Sequence, residues 1–354
     1  MRKKIVLLAA FAVSAAPMAM AATPEKPTAQ KPRTRPSAEI IKAAPASDWQ
    51  KIDPADLLVM TLAPDAAGKA RQVIIQLLPP PFSQGWIGNM RKLATAHWWD
   101  GGAVYRVQDN WVAQFGDPDE DTPQAKPLPA GLSKVPESEY EVPIPATGPG
   151  LKLFTPSIEA KRKAVQAQTA LLVKYGSIEK IPAAEFAKSQ EAVERGDSYA
   201  MGTGLYQGWP VAYGSESLWP VHCYATVGVG RNNSPDTGTG AELYAAIGTP
   251  PRQLDRNIAV VGRVIEGIEH LSSLPRAPGN GMYNDKAKNT PILSIRLGSE
   301  LPPAQQPHFE YLSSASASFR DYVNARANRR DDFIIYSPGN ADICNIPIPI
   351  RRQG

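Results

Sequence analysis

The sequence predicts a mainly β protein with a few helices, a helical insertion and a C-terminal extension. Three observations carry that expectation. Apolar runs are short, rich in β-branched residues and bounded by turn formers, and few stretches keep a helical period. Proline occurs 35 times in 354 residues, about twice the usual roughly 5%, which disfavours a helical bundle. Hydrophobic residues make up 43% and charged residues 20%, enough apolar material for one large core or two modest ones.

The elements follow in order. Arg2-Lys3-Lys4, the apolar stretch Ile5–Ala16 and the small residues at Ala19 and Ala21 read as a signal peptide over 1–21, cut before Ala22. An uncleaved anchor is the alternative; no later segment is long and apolar enough to span a membrane. Residues 22–47, rich in Pro, Ala and Lys, read as a flexible lead-in. Asp56–Ala63 and Arg71–Leu78 read as a hairpin around Pro64–Gly68, stopped by Pro79-Pro80-Pro81. Over 84–96, Ile87, Met90, Leu93 and Ala94 fall on one helical face. Short strands follow to Gly116. From Asp117 the chain becomes a proline- and acid-rich loop. Helices are expected over Pro156–Tyr175, closed by Gly176, and over Ala183–Arg195. Strands return at 221–229, 243–247, 258–264 and 292–297, with helices at 266–274 and 315–327. The body is thus expected over 48–300, with an insertion at 118–218 and an extension over 301–354.

Charge excludes some functions. Cations number 38 and anions 34, and removing Arg2, Lys3 and Lys4 leaves 35 against 34. A near-neutral chain carries no electrostatic footprint for nucleic acid or anionic lipid. The four histidines, His97, His222, His270 and His308, form no ligand spacing with the two cysteines, so neither metal nor cofactor is expected. Cys223 and Cys344 are either two buried thiols or, in an oxidising compartment, a bridge across about 120 residues worth roughly 4 kcal/mol. Nucleophile elbows, phosphate loops and dinucleotide fingerprints are missing, and Asp117–Asp121 lacks calcium-loop spacing.

What remains is a set of short ordered patterns. These are Trp98–Val107 with Tyr105-Arg106-Val107, Trp111–Asp117 with Gln114-Phe115-Gly116-Asp117, Gly238–Gly248, Leu254–Gly267, and Thr290–Ile295. In that order, after a helix containing Asn89, they resemble the cyclophilins, the peptidyl-prolyl cis/trans isomerases, over about 55–117 and 219–298. The resemblance implies a closed eight-stranded antiparallel barrel capped by two helices. It implies Arg106 as the catalytic arginine, Gln114 as its partner and substrate ligand, and Trp111, Val112, Tyr244 and Leu254 as the apolar pocket for the proline ring. A lone strand arginine often just pairs with an acid; Gln114 eight residues on favours the catalytic role.

The sequence also departs from the family pattern. Tyr105 stands where histidine is usual, Glu242 replaces a glutamine, Leu243-Tyr244 replaces Phe-Phe, Ile258 replaces a histidine, and Gln253 replaces the aromatic that helps bind cyclosporin. Tyr105, Glu242 and Gln253 are therefore candidate determinants of a reshaped groove. The expected function is isomerisation of Xaa-Pro bonds in folding exported proteins, in the periplasm or outside the cell. The alternative is a non-catalytic peptide-binding chaperone or scaffold on the same barrel.

Overall fold

The computed structural model describes residues 33–144, 156–186, 197–337 and 339–353. The expected signal peptide and the first part of the lead-in lie outside the described residues. β1 (Trp49–Ile52) leads into a hairpin of β2 (Leu57–Leu62) and β3 (Arg71–Leu77), paired from Leu57 opposite Gln76 to Leu62 opposite Arg71. The hairpin is apolar without alternation because both faces are covered. Leu58, Met60, Val73 and Ile75 join the main core, whereas Leu57, Val59 and Ile74 pack with Ile52 and Phe309.

The helix Gln84–Thr95 follows, burying Trp86, Ile87, Met90, Leu93 and Ala94. β4 (Ala103–Val107) and β5 (Val112–Gly116) form the next hairpin. Between them and the remaining barrel strands comes the insertion. It holds β6 (Val142–Pro143), the helix Pro156–Tyr175, β7 (Gly202–Tyr206), β8 (Trp209–Tyr213) and β9 (Ser217–Pro220). β10 (Thr226–Val229), β11 (Leu243–Ala246), β12 (Val260–Glu266) and β13 (Thr290–Leu297) complete the body. The eight strands close as β10-β11-β5-β4-β13-β2-β3-β12, every pairing antiparallel. The expected barrel is present.

Two expectations need correction. The insertion carries the expected long helix, Pro156–Tyr175, and also a four-stranded sheet, β6-β9-β8-β7, that was not expected. β7 and β8 turn at Gln207 and Gly208, both at positive φ (47° and 80°), the backbone of a tight two-residue hairpin. The second helix expected over 183–195 is helical over 183–186, and the rest lies outside the described residues. The lead-in is also ordered earlier than expected. Ser37–Ala43 is a helix whose Ile40 is buried with Phe319 and Tyr322 of the C-terminal helix Ala317–Ala327. Thr34 Oγ1 donates to the Asn328 carbonyl at 2.7 Å. One buried isoleucine and these bonds offset the entropy of a segment whose composition reads as linker.

The extension lies against the body. β14 (Phe309–Leu312) pairs with β1 and with β15 (Ile350–Arg352), and this three-stranded sheet supplies the Phe309 and Ile350 that pack near the outer face of the first hairpin. Cys223 and Cys344 are bonded, with Cα atoms 5.2 Å apart, tying the extension to the approach to β10.

Candidate active site

The β4–β5 register slips between Val104 and Arg106, so Tyr105 is an extra residue and Arg106 faces Gln114. Such a bulge breaks strict alternation. Its effect here is that two consecutive residues both reach Gln114. The Gln114 amide is held at both ends: Oε1 accepts from Arg106 Nη1 at 2.9 Å, and Nε2 donates to the Tyr105 hydroxyl at 2.7 Å. Arg106 also donates from Nε to the Asn280 carbonyl at 2.6 Å and from Nη2 to Gln108 Oε1 at 2.7 Å. Its guanidinium lies 5.7 Å from the Trp111 ring centre, and burial holds its pKa below the ordinary arginine value. Guanidinium carries five N–H groups. Among the described residues three are occupied, which leaves one on Nη1 and one on Nη2.

Behind this pair sits an acid pair. The Tyr105 oxygen is 2.8 Å from Glu242 Oε2 and 2.9 Å from Glu120 Oε1. One phenol proton cannot serve two carboxylates while Gln114 donates to the same oxygen. A carboxylic acid donating to the phenol resolves the count, and Glu242 is the candidate. It is buried, and burial first, then the charge of Glu120, pushes its pKa up to about 8. Its other oxygen accepts the Asp117 N–H at 2.8 Å. The carboxyl lies so close to Gly116 that a Cβ there would fall 1.9 Å from Oε2, so any larger residue would have to displace the Glu242 carboxyl. Arg106, Gln114, Glu242, Arg231, Asn280 and Met282 line a cavity of about 410 Å³.

The other expected residues are placed differently. Val112 and Tyr244 are buried, with 3% and 5% of their surface exposed. Leu254 ends the short turn Arg252–Leu254 and is half-buried, and Gln253 is exposed. None of these, nor Trp111, is among the residues lining the Arg106 cavity; Gln253 lines a neighbouring one. Tyr105 and Glu242, identified as departures, join Arg106 and Gln114 directly.

Tyr244 belongs to a chain of buried bonds that sequence reasoning missed. Its ring crosses Gly228, where a Cβ would fall 2.3 Å from the hydroxyl, and the hydroxyl meets His222 Nε2 at 2.9 Å. His222 Nδ1 and its backbone N–H both meet Asp255 Oδ1 at 2.9 Å. Asp255 Oδ2 accepts Arg252 Nε at 2.5 Å, and Arg252 Nη1 donates to Asp197 at 2.7 Å. The arrangement assigns the proton to Nδ1 and makes Nε2 the acceptor of the phenol. Thirty-three residues separate His222 from Asp255, and no spacing rule links a loop to a turn over that distance. Among the described residues no cluster of three or more His, Cys, Asp or Glu could hold a metal.

The comparisons with known proteins agree with this architecture. Residues 86–297 match the family model described as cyclophilin type peptidyl-prolyl cis-trans isomerase/CLD. The fold is similar to that of cyclophilin AquaCyp293 from Hirschia baltica, with 19% identity and a TM-score of 0.57, covering 86% of this chain and 93% of that one. A cyclophilin type peptidyl-prolyl cis-trans isomerase of Cryptosporidium parvum, crystallised in the presence of the dipeptide Ala-Pro, matches with 12% identity and a TM-score of 0.32, covering 70% of this chain and 98% of that one. None of the curated proteins matches the sequence.

Proposed function

The chain belongs to the cyclophilin-type peptidyl-prolyl cis-trans isomerase family, and from that premise we propose that it isomerises Xaa-Pro bonds of exported proteins through Arg106. The enzyme acts on proline-containing polypeptide. The observation that carries the role of Arg106 is its geometry: three fixed acceptors orient the guanidinium, and two N–H groups remain on a side chain that lines a cavity.

The chemistry follows from the amide. Resonance blocks rotation with a barrier of about 18–20 kcal/mol. When the bond twists, conjugation is lost and the prolyl nitrogen regains a lone pair. An N–H of Arg106 donated to that nitrogen stabilises the twisted state and not the planar one, which lowers the barrier. Arginine stays charged, so no proton changes hands. Gln114 holds the guanidinium from one side, and Tyr105 with the Glu242 acid holds Gln114 in turn. Trp111, beside Arg106, is the proposed wall for the proline ring.

Export is supported by the N-terminal pattern of Arg2 to Ala21 and by the Cys223–Cys344 bond, which suits an oxidising compartment. No helix among the described residues is long and apolar enough to cross a membrane. One observation favours the peptide-holding alternative: Val112 and Tyr244 are too buried to form an open wall for the ring.

The test is cis/trans exchange on an Ala-Pro peptide by NMR, with residues 22–354 beside Arg106→Ala. The expected result is exchange with the native chain, reduced about 10²–10³-fold in the variant, the cost of removing one fixed donor to developing charge. Equal rates for the two proteins would overturn the role of Arg106. Binding with no exchange from either would establish the peptide-holding alternative.

A further inference from the structure

A cavity of about 290 Å³ lies where the barrel, the insertion and the C-terminal extension meet. β12 supplies Arg263 and Val264, β8 supplies Trp209, and the extension supplies Ile343, Ile346 and Ile348. The bonded Cys223 and Cys344 belong to the same wall. Tyr224 also lines the cavity and is 52% exposed, so the cavity reaches solvent there. No residue is shared with the lining of the Arg106 cavity.

Among the described lining residues Arg263 alone is charged, and most of the others are apolar. Arg263 is part-buried, with its guanidinium 4.1 Å from the Trp209 ring centre. Nε and Nη2 both donate to Gln76 Oε1, at 3.0 and 2.8 Å, and Nη1 donates to the Gly208 carbonyl at 2.8 Å. Both acceptors are neutral. Among the described residues no carboxylate is placed to pair with this guanidinium, and burial pushes its pKa down to about 9. Of its five N–H groups, one on Nη1 and one on Nη2 are left. The charged end stands at the cavity wall. Trp209, over which it lies, lines the cavity, and so does Ile348, which lies beside Gly208. A cation drawn out of water and held by neutral groups alone is costly, and an anion beside it would offset that cost. The Arg106 cavity is different, because Glu120, Asp121, Asp236 and Glu242 line it.

From this arrangement we infer that the cavity binds a monocarboxylate with an apolar tail, its carboxylate on Arg263 and its tail along Val264, Ile343 and Ile346. A carboxylate offers a charge and two oxygens to the two N–H groups that remain. An apolar tail suits the rest of the wall, which holds no second charge. The volume lies near the lower end for small-molecule sites, roughly 300–1,000 Å³, and so suits one tail of moderate length. A free fatty acid and the apolar C-terminus of a polypeptide share this chemistry. The site stands apart from the isomerase reading of Arg106 and does not depend on it.

The test titrates residues 22–354, disulfide intact and tryptophan ¹⁵N-labelled, at pH 7 with two acids and their uncharged twins. These are decanoate beside decanol, and acetylated Leu-Leu with a free carboxylate beside its amide; acetate serves as the tailless anion. At least one acid is expected to bind about tenfold more tightly than its twin and than acetate, and to move the Trp209 indole signal. The tighter of the two acids names the source. Arg263→Gln should erase the preference for the acid and leave exchange on an Ala-Pro peptide within about twofold, since Arg263 lies outside the Arg106 cavity. Equal binding of both acids and their twins would overturn the inference, as would acetate binding as tightly as the acids, or a preference that survives in Arg263→Gln. Should the variant not fold, a Trp209 signal that the bound acid leaves unmoved in the native chain is enough to overturn it.

Discussion

Gln114 and Tyr244 face each other across β5 and β11, yet they serve opposite kinds of network. Gln114 joins Arg106, Tyr105 and Glu242 at the edge of a cavity, and two arginine N–H groups are left over. Tyr244 joins His222, Asp255, Arg252 and Asp197, where each named bond ends on another and the middle is buried. The first network leaves donors unspent on a side chain that lines a cavity, which is what the proposed role of Arg106 requires. The second spends its donors internally and can only hold the loops of the barrel together. Similar residue types on paired strands are thus separated in role by whether any capacity to bond remains.

Breaking the closed network is the largest predicted effect. Asp255→Ala removes the acceptor of the His222 ring and backbone and of Arg252 at one stroke. Arg252 keeps its Asp197 partner, so the cost is that of leaving the buried His222 ring and backbone N–H groups unpaired, about 2–4 kcal/mol, read from urea unfolding. A loss under about 1 kcal/mol would mean that the network is not the brace described.

The open network gives a smaller, pH-dependent effect. Glu242 is pushed up to about 8 in the folded chain from an ordinary 4.5, so the folded state holds its proton more tightly than the unfolded state. That contribution is fully present below pH about 4.5 and is lost as pH rises through about 8. Glu242→Gln keeps the bond to Tyr105 and the bond from Asp117 without a proton to lose. The variant should gain on the native chain as pH rises from about 4.5 to about 8, reaching on the order of 1–3 kcal/mol, and the difference should then level off. Parallel stability curves from pH 4.5 to 9 would show that Glu242 is already ionised and that another proton resolves the Tyr105 contacts.

The same contrast explains how much the sequence disclosed. The barrel strands and the helix at 84–95 were legible because their apolar periods are strong and both faces of the first hairpin are covered. Arg106 and Gln114 were legible as members of an ordered motif set. The insertion sheet was not, because β7 opens Gly202-Thr203-Gly204 and β8 carries Pro210, poor strand formers that pairing overrides. The Ser37–Ala43 helix was hidden because its surroundings are Pro and Ala and its buried anchor is one isoleucine. Tyr105 and Glu242 could be read only as departures from a pattern. Their meaning lies in a bulge and in a carboxyl pressed against Gly116, and neither leaves a mark on residue spacing.

The smallest predicted effect sharpens the comparison at Tyr244 itself. Tyr244→Phe keeps the ring over Gly228 and removes only the hydroxyl that meets His222 Nε2. His222 is left with one buried acceptor unpaired, while Asp255 still holds its other nitrogen. The expected cost is about 1 kcal/mol, the low end for an orphaned neutral group, because no charge is uncovered and no cavity larger than an oxygen opens. Exchange on an Ala-Pro peptide should change less than about twofold, since Gln114 and Arg106 share no bond with that hydroxyl. A tenfold fall in exchange with unchanged stability would contradict the separation. It would mean that the phenol reaches the substrate, and that the two networks on these paired strands act as one site.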